Sequence, residues 1–308
     1  MRLVFAGTPD AAVPSLRLLA ASAHEIVAVV TRRDAPIGRK RVITPSAVGA
    51  VADELGIETI KTDRLDAEAS ERIAALAPDL GVIVAYGGLV REPLLSTPAH
   101  GWINLHFSLL PRWRGAAPVQ HALIAGDAET GASVFQLVAA LDAGDVFAES
   151  RYAVPSDATA GDVLSALADA GARLLAGVVD GIAAGTAVAL AQSGTPTLAP
   201  KLADDDGRLR WTEPREAVLA RFRGVTPEPG AHSLVDGTRL KILSAAPAPA
   251  DAPALAPGEL ALHDRRLLAG TATEPVVLER VQPAGRSAMA AADWWRGRRD
   301  DGSARALA

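Results

Sequence analysis

At 308 residues, 49% apolar and 22% charged, the chain has the size for one large or two medium domains and the composition of an ordinary globular protein. It contains no cysteine, which excludes disulfides and thiolate chemistry, and none of its apolar runs approaches the roughly 18 residues of a membrane span. The net charge of −5 is uneven: residues 1–206 hold 16 Lys and Arg against 24 Asp and Glu, whereas residues 207–308 hold 15 against 12. An acidic front and a mildly basic back suit a catalytic domain joined to one that touches a polyanion, although drift in surface charge gives the same pattern.

The start of the chain runs directly into a strand pattern, so no secretory leader is expected and the cytoplasm is the simplest location. Short, β-branched-rich runs at 2–6, 25–31, 81–85 and 102–107 read as buried strands. Helical patterns lie between and after them at 11–22, 45–55, 67–76 and 116–125, the last starting near Pro118 because proline is tolerated in a first turn. This alternation predicts an α/β domain with an open, mostly parallel sheet and right-handed crossovers. Strands at 132–138 and 146–154 and an Ala/Leu-rich helix at 160–179 extend it.

Beyond the helix, residues 183–200 show no periodicity and read as a linker. Short alternating runs at 208–212, 239–243, 259–262 and 275–281, divided by Gly/Pro-rich turns, predict a small antiparallel barrel, with 245–257 as an extended loop. The expected division is therefore 1–183, a linker at 184–206, and 207–308.

Within the first part, Gly7-Thr8-Pro9-Asp10 follows the first strand without the further glycines of a dinucleotide fingerprint. A tight turn in which Thr8 or Asp10 caps the helix is the plain expectation, and no nicotinamide cofactor is expected. Arg32, Arg33, Arg39, Lys40 and Arg41 cluster around Pro36 and Gly38 in a segment too irregular for helix or strand. It is either a solvated loop or a loop that grasps nucleic-acid phosphates.

Asn104 and His106 alternate along the 102–107 strand, which puts an amide and an imidazole on one face. The later run Leu141-Asp142-Ala143-Gly144-Asp145 supplies a carboxylate, from Asp142 or Asp145, that could reach the imidazole. An amide donor, a titratable ring and an acid make a plausible acyl-transfer site, and the loop from Ser108 to Gly115 leaves the same strand where ligand contacts concentrate. The other histidines (His24, His100, His121, His232, His263) show no metal-ligand spacing, so no metal is expected.

The run Asn-Leu-His-Phe-Ser-Leu-Leu-Pro-Arg-Trp-Arg-Gly at 104–115 resembles the signature of the formyltetrahydrofolate-dependent formyltransferases. Phe-Ala-Gly-Thr-Pro-Asp at 5–10, Ala-Tyr-Gly at 85–87, Leu-Asp-Ala-Gly-Asp at 141–145, Lys-Leu at 201–202 and Gln-Pro-Ala-Gly-Arg-Ser-Ala-Met at 282–289 extend the likeness over nearly the whole chain. Together they narrow it to the branch that acts on methionyl-tRNA. The resemblance implies a Rossmann-like formyltransferase domain followed by a smaller barrel similar to an OB-fold that binds tRNA. It implies 10-formyltetrahydrofolate as formyl donor and the α-amine of initiator methionyl-tRNA as acceptor, with a monomer expected.

By the same resemblance Asn104, His106 and Asp142, the first aspartate of its run, are catalytic; their chemistry suits Asn104 to donating to the oxyanion, His106 to donating to it or to the departing N10, and Asp142 to holding the His106 ring, raising its pKa and accepting the amine's proton directly or through water. Ser108, Leu109, Leu110, Pro111, Tyr86, Gly87, Gly88, Leu89, Ala143 and Gly144 border the folate. Gly7, Thr8, Pro9 and Asp10 lie on the acceptor-end side; Arg39, Lys40 and Arg41, in an insertion at 34–48, and Arg32 just before it contact tRNA. Phe107, where relatives often carry a small residue, and Glu228, in place of a tryptophan between Pro227 and Pro229, depart from the pattern. A sugar-nucleotide or glycinamide-ribonucleotide formyltransferase, a formate-releasing hydrolase and a non-catalytic RNA-binding protein are the alternatives. The basic insertion disfavours the first three, and the intact acid–imidazole pair disfavours the last.

Overall fold

The computed structural model describes residues 1–38 and 40–298. Backbone contacts divide the described residues into two compact units: residues within 1–118, 129–153 and 164–200 in one, and 119–128, 154–163 and 201–298 in the other.

The first unit is built on a 7-stranded sheet in the order β5-β2-β1-β6-β7-β8-β9. Its strands are β1 (Arg2–Gly7), β2 (Glu25–Thr31), β5 (Thr59–Lys61), β6 (Leu80–Val84), β7 (Trp102–His106), β8 (Glu129–Gln136) and β9 (Val146–Ala153). The pairs from β5 through β7 are parallel, and β7–β8 and β8–β9 are antiparallel. Every residue of β6 is buried, as the continuous apolar runs of a covered parallel sheet require. Gly81 lets β7 pack against β6, because a Cβ there would lie 2.1 Å from the Trp102 ring. Trp102 in turn is fully buried and donates its Nε1–H to Leu94 O at 2.8 Å.

The helices of this unit start and stop where local chemistry dictates. In α2 (Ala47–Leu55) the Ser46 hydroxyl accepts from Gly49 N at the N-cap, and Gly56 closes the helix at φ 68. In α3 (Ala67–Ala75) Asp66 accepts from Ala69 N. By contrast α1 (Val13–Ala20) and the short 3₁₀ turn Asp10–Ala12 before it have no side-chain cap. The expected capping by Thr8 or Asp10 does not occur: the Thr8 hydroxyl donates instead to Tyr86 O at 3.3 Å. α4 (Pro118–Ile124), whose residues from 119 on belong to the second unit, does begin at its proline, and α5 (Ala160–Ala183), in this unit from 164 on, runs 24 residues.

Two segments differ from expectation. The basic segment is not irregular; β3 (Ala35–Ile37) and β4 (Val42–Thr44) pair as an antiparallel hairpin, turning through Gly38 at φ 72 and Arg41 at φ 49. Residues 59–61 form β5, which the sequence hides because only Ile60 of the three is buried.

The second unit carries an antiparallel sheet in the order β10-β11-β14-β13-β12, with β15 (Met289–Ala290) pairing β14. Its members are β10 (His232–Val235), β11 (Thr238–Pro247), β12 (Leu260–His263), β13 (Arg266–Ala269) and β14 (Val276–Pro283). Short antiparallel strands match the expected barrel-like domain. The run at 208–212 is not a strand: Arg208 makes a lone bridge to His232, although Leu209 and Trp211 are buried in the core beside Phe222, Leu240 and Leu278. Two helices, α6 (Arg215–Gly224) and α7 (Ala291–Arg296), complete the unit, and residues 245–247 belong to β11 rather than to a loop. No helix among the described residues is long and apolar enough to cross a membrane.

Candidate active site

Asn104 and His106 stand on β7, beside β6 on one side and β8 on the other; Asn104 pairs with Ile83 and Phe135, His106 with Ser133. His106 is the last residue of its strand, so the imidazole sits at the carboxyl edge where open α/β sheets place their ligands. Its ring meets Phe135 edge-on at 6.3 Å between centroids, and it is 6% exposed.

The ring is held by backbone. Its Nε2 lies 2.9 Å from Trp113 O, and since a carbonyl only accepts, Nε2 carries the hydrogen. That leaves Nδ1 of the neutral ring as a lone pair, 3.8 Å from Asp142 Oδ2. Asp142 Oδ2 is engaged elsewhere, accepting from Gly115 N at 2.7 Å. Asp142 and the imidazole are therefore close without a direct hydrogen bond, and they become an ion pair only when the ring is protonated. Burial pushes the His106 pKa below its ordinary value; the nearby Asp142 charge and the Trp113 carbonyl oppose that shift and do not overcome it. Asp142 does raise the pKa, as expected, but the net shift is a fall, because the desolvation of a buried ring outweighs one carboxylate 3.8 Å away.

Two loops set this geometry. Asp142 adopts φ 44 and Trp113 φ 61, left-handed conformations uncommon for residues with a Cβ. Gly144 follows Asp142 because a Cβ at that position would lie 1.7 Å from Gln136 O. Gly115, at φ 129, also passes close to a neighbouring backbone: the Ala199 carbonyl oxygen would be 2.5 Å from an added Cβ. Asn104 Oδ1 is buried and has no hydrogen-bond partner among the described residues. Leaving such an atom unpaired costs about 1–3 kcal/mol, a cost that a bound amine or amide N–H offsets. This orphan acceptor beside His106 fits a substrate that carries such a group.

The residues expected to border folate fall around the same strand end. Ser108 is fully buried and donates to Arg112 O at 2.6 Å; Leu110 N donates to Ser133 Oγ at 3.2 Å. Tyr86 turns its ring into the core, with its hydroxyl donating to Thr62 O at 3.1 Å. Gly88 lies against that ring, and Leu89 is exposed. Through the Thr8–Tyr86 bond, Gly7-Thr8 at the end of β1 and the 86–89 segment after β6 are adjacent at the point where the strand order reverses. Of the residues expected to contact tRNA, Arg32 donates to Gly87 O at 3.3 Å, Lys40 and Arg41 are exposed in the hairpin turn, and Arg39 lies outside the described residues.

Several members of the site carried no sequence signal. Trp113 and Gly115 contribute a carbonyl and an amide, which no side-chain pattern announces. Gln192 and Thr197 lie in the segment that reads as linker, yet Trp113 N donates to Thr197 Oγ1 at 2.9 Å. Among the described residues of the second unit, Asp251, His263 and Asp264 have ligand atoms within 4.8 Å of one another; His263 and Asp264 are neighbours in sequence, and folding brings Asp251 to them. Both carboxylates are exposed, as in ordinary surface clusters.

An open α/β sheet that gathers an amide, an imidazole and a carboxylate at the carboxyl end of one strand has the parts of an acyl-transfer site. The chain belongs to the formyl transferase family: the formyl transferase family model matches residues 1–179, and that of the formyl transferase C-terminal domain matches residues 201–299. It is 64% identical over 297 residues to a methionyl-tRNA formyltransferase of Clavibacter sepedonicus, covering 96% of this chain and 97% of the relative. To the methionyl-tRNA formyltransferase of an Arthrobacter strain it is 56% identical over the same span. Among solved structures, the sugar 3N-formyl transferase WlaRD, studied with dTDP and 5-N-formyl-THF, superposes with a TM-score of 0.68 at 13% identity, over 93% of this chain and 99% of that one. HypX of Aquifex aeolicus in complex with tetrahydrofolic acid gives 0.62 at 16% identity, over 95% of this chain and 46% of HypX. Those two likenesses speak to the fold.

Proposed function

We propose that this chain is a cytoplasmic, monomeric enzyme that transfers the formyl group of 10-formyltetrahydrofolate to the α-amine of initiator methionyl-tRNA. The observation that carries the reading is the grouping of Asn104, His106 and Asp142 at the end of β7, with Asn104 Oδ1 buried and unpaired. The close relatives support the acceptor. In this reading residues 1–183 hold the donor and the aminoacyl end, 184–206 link, and 207–308 bind tRNA.

When bound, the donor supplies a formyl carbon on N10, open to attack by an amine. A free α-amine has a pKa of about 7.7–8.0, so a neutral nucleophile is present near neutral pH and need not be generated by force. Asn104 directs its Oδ1 at an amine hydrogen and its amide N–H at the formyl oxygen, where negative charge develops; a donor so placed contributes about 10²–10³ in rate. His106, kept neutral by burial, takes the proton lost by the amine on Nδ1 and returns it to the departing nitrogen. Asp142 stabilises the imidazolium in between, and its own position is fixed by Gly115 N–H. Ser108–Pro111, the 86–89 backbone and Ala143-Gly144 border the donor; Gly7–Asp10 face the acceptor end, and Arg32, Arg39, Lys40 and Arg41 meet the tRNA.

The test supplies 10-formyltetrahydrofolate with methionyl-tRNA, uncharged tRNA or an amino-sugar nucleotide and follows formyl transfer. Turnover is expected with methionyl-tRNA alone, and His106→Ala and Asp142→Ala are each expected to lower kcat by about 10²–10⁴ without loss of folding. Near-normal turnover in either variant removes that residue from the chemistry, and formylation of the sugar nucleotide overturns the acceptor.

A further inference from the structure

The segment that reads as a linker is fastened to the first unit at both ends. Leu190 exchanges both backbone hydrogen bonds with Val146 at the start of β9 (2.8 and 2.9 Å). At the other end Arg114 N donates to Thr197 O at 2.8 Å, Ala199 N to Arg114 O at 2.7 Å, and Ala117 N to Ala199 O at 3.1 Å. Between these anchors Gln192 reaches into the site with its amide fully used. Its Nε2 donates to Asp142 O at 2.7 Å and to Gly144 O at 2.9 Å. Its Oε1 accepts from Arg114 Nη2 at 2.5 Å and from Arg114 Nε at 3.2 Å.

Arg114 lies between the two backbone groups that hold the reacting pair: Trp113 O, which fixes the His106 ring, and Gly115 N, which fixes the Asp142 carboxylate. One side chain thus ties the loop that orients the imidazole to the loop that carries the acid. Asp142 is left-handed at φ 44, so the loop bearing it needs restraint from outside, and both of the Gln192 N–H groups supply it. We propose that Gln192 is a positioning residue for formyl transfer, holding His106 and Asp142 in register by bridging the 111–115 and 141–145 loops. The inference rests on the assignment of His106 and Asp142 as the reacting pair.

Two variants separate its parts. Gln192→Met keeps the length and loses every polar atom; Gln192→Glu keeps the acceptor for Arg114 and loses both donors to the Asp142 loop. Steady-state kinetics with 10-formyltetrahydrofolate and methionyl-tRNA are expected to show kcat lowered about 10- to 100-fold in both, the loss that misplacement of a reacting group by about 1 Å produces. KM for either substrate and the thermal midpoint are expected to stay near wild type, which a general loss of structure would not allow. In an Asp142→Asn background, Gln192→Met is expected to add little further loss, because it acts through that residue. Wild-type kcat in both variants, full recovery in Gln192→Glu, a parallel fall in thermal midpoint, or losses that multiply with Asp142→Asn would each overturn the proposal. Should His106→Ala and Asp142→Asn themselves turn over normally, the underlying catalytic assignment fails; if they are impaired and Gln192 variants are not, the positioning role alone fails.

Discussion

His106 is pulled in opposite directions by its surroundings, and the direction that wins sets its chemical role. Burial favours the neutral ring more than Asp142 and the Trp113 carbonyl favour the cation. With Nε2–H spent on that carbonyl, the neutral ring offers a base at Nδ1 rather than an acid, and it becomes an acid only after taking the amine's proton. The same shift is a statement about stability. In the unfolded chain the ring titrates near its ordinary pKa of about 6.5, and in the folded protein lower. Between those two values the unfolded state binds more protons, so stability rises with pH. The contribution is whole above about pH 6.5 and is lost as pH falls through the folded value. His106→Asn is therefore expected to flatten the pH dependence of the thermal midpoint just below about pH 6.5, relative to wild type. Parallel curves for the two proteins would show that the ring is not held neutral by folding.

At the scale of elements, the basic hairpin of β3 and β4 presents both apolar and cationic side chains to solvent. Val42 and Ile43 are 59% and 65% exposed, and Lys40 and Arg41 project from the turn between the strands. A hairpin holds such cations in a fixed spacing that a loose loop does not. Replacing Lys40 and Arg41 together with alanine is expected to raise KM for methionyl-tRNA several-fold and leave KM for the folate unchanged; equal values for tRNA would detach the hairpin from tRNA binding. Its pairing escaped the sequence because three-residue strands around Pro36 and Gly38 show no alternation. β5 escaped for a related reason, having one buried residue between two polar ones. The long parallel strands were legible because burial on both faces forces an unbroken apolar run, as in β6. At 208–212, alternation of Leu209 and Trp211 imitated a strand: their side chains fill the core while the backbone bridges only at Arg208. The site divides the same way. Asn104 and His106 are readable from strand periodicity, whereas the Trp113 carbonyl, the Gly115 amide and the clamp by Gln192 exist only once the chain has folded.

Across the whole molecule, the charge asymmetry separates the two substrates electrostatically. Residues 1–206 are net acidic and would repel a polyanion, so attraction must come from local clusters such as Arg32–Arg41 and from the net basic residues 207–308. A tRNA gripped through phosphates releases a counterion for each, and the logarithm of affinity falls against the logarithm of salt with a slope of about 0.7–0.9 per phosphate neutralised. In the proposed reading the folate, a small ligand bordered by residues at the end of β7, is no polyelectrolyte and has no such counterion atmosphere. KM for methionyl-tRNA is therefore expected to climb steeply between about 50 and 200 mM salt while KM for 10-formyltetrahydrofolate changes little. The Lys40→Ala/Arg41→Ala variant is expected to reduce the tRNA slope by about one for each phosphate that the two cations neutralise in the wild type, and to leave the folate slope alone. Steady-state titration of both substrates across that salt range, wild type beside variant, makes the comparison. A flat tRNA dependence would mean that shape and the aminoacyl end, not phosphate binding, bring the acceptor to Asn104 and His106.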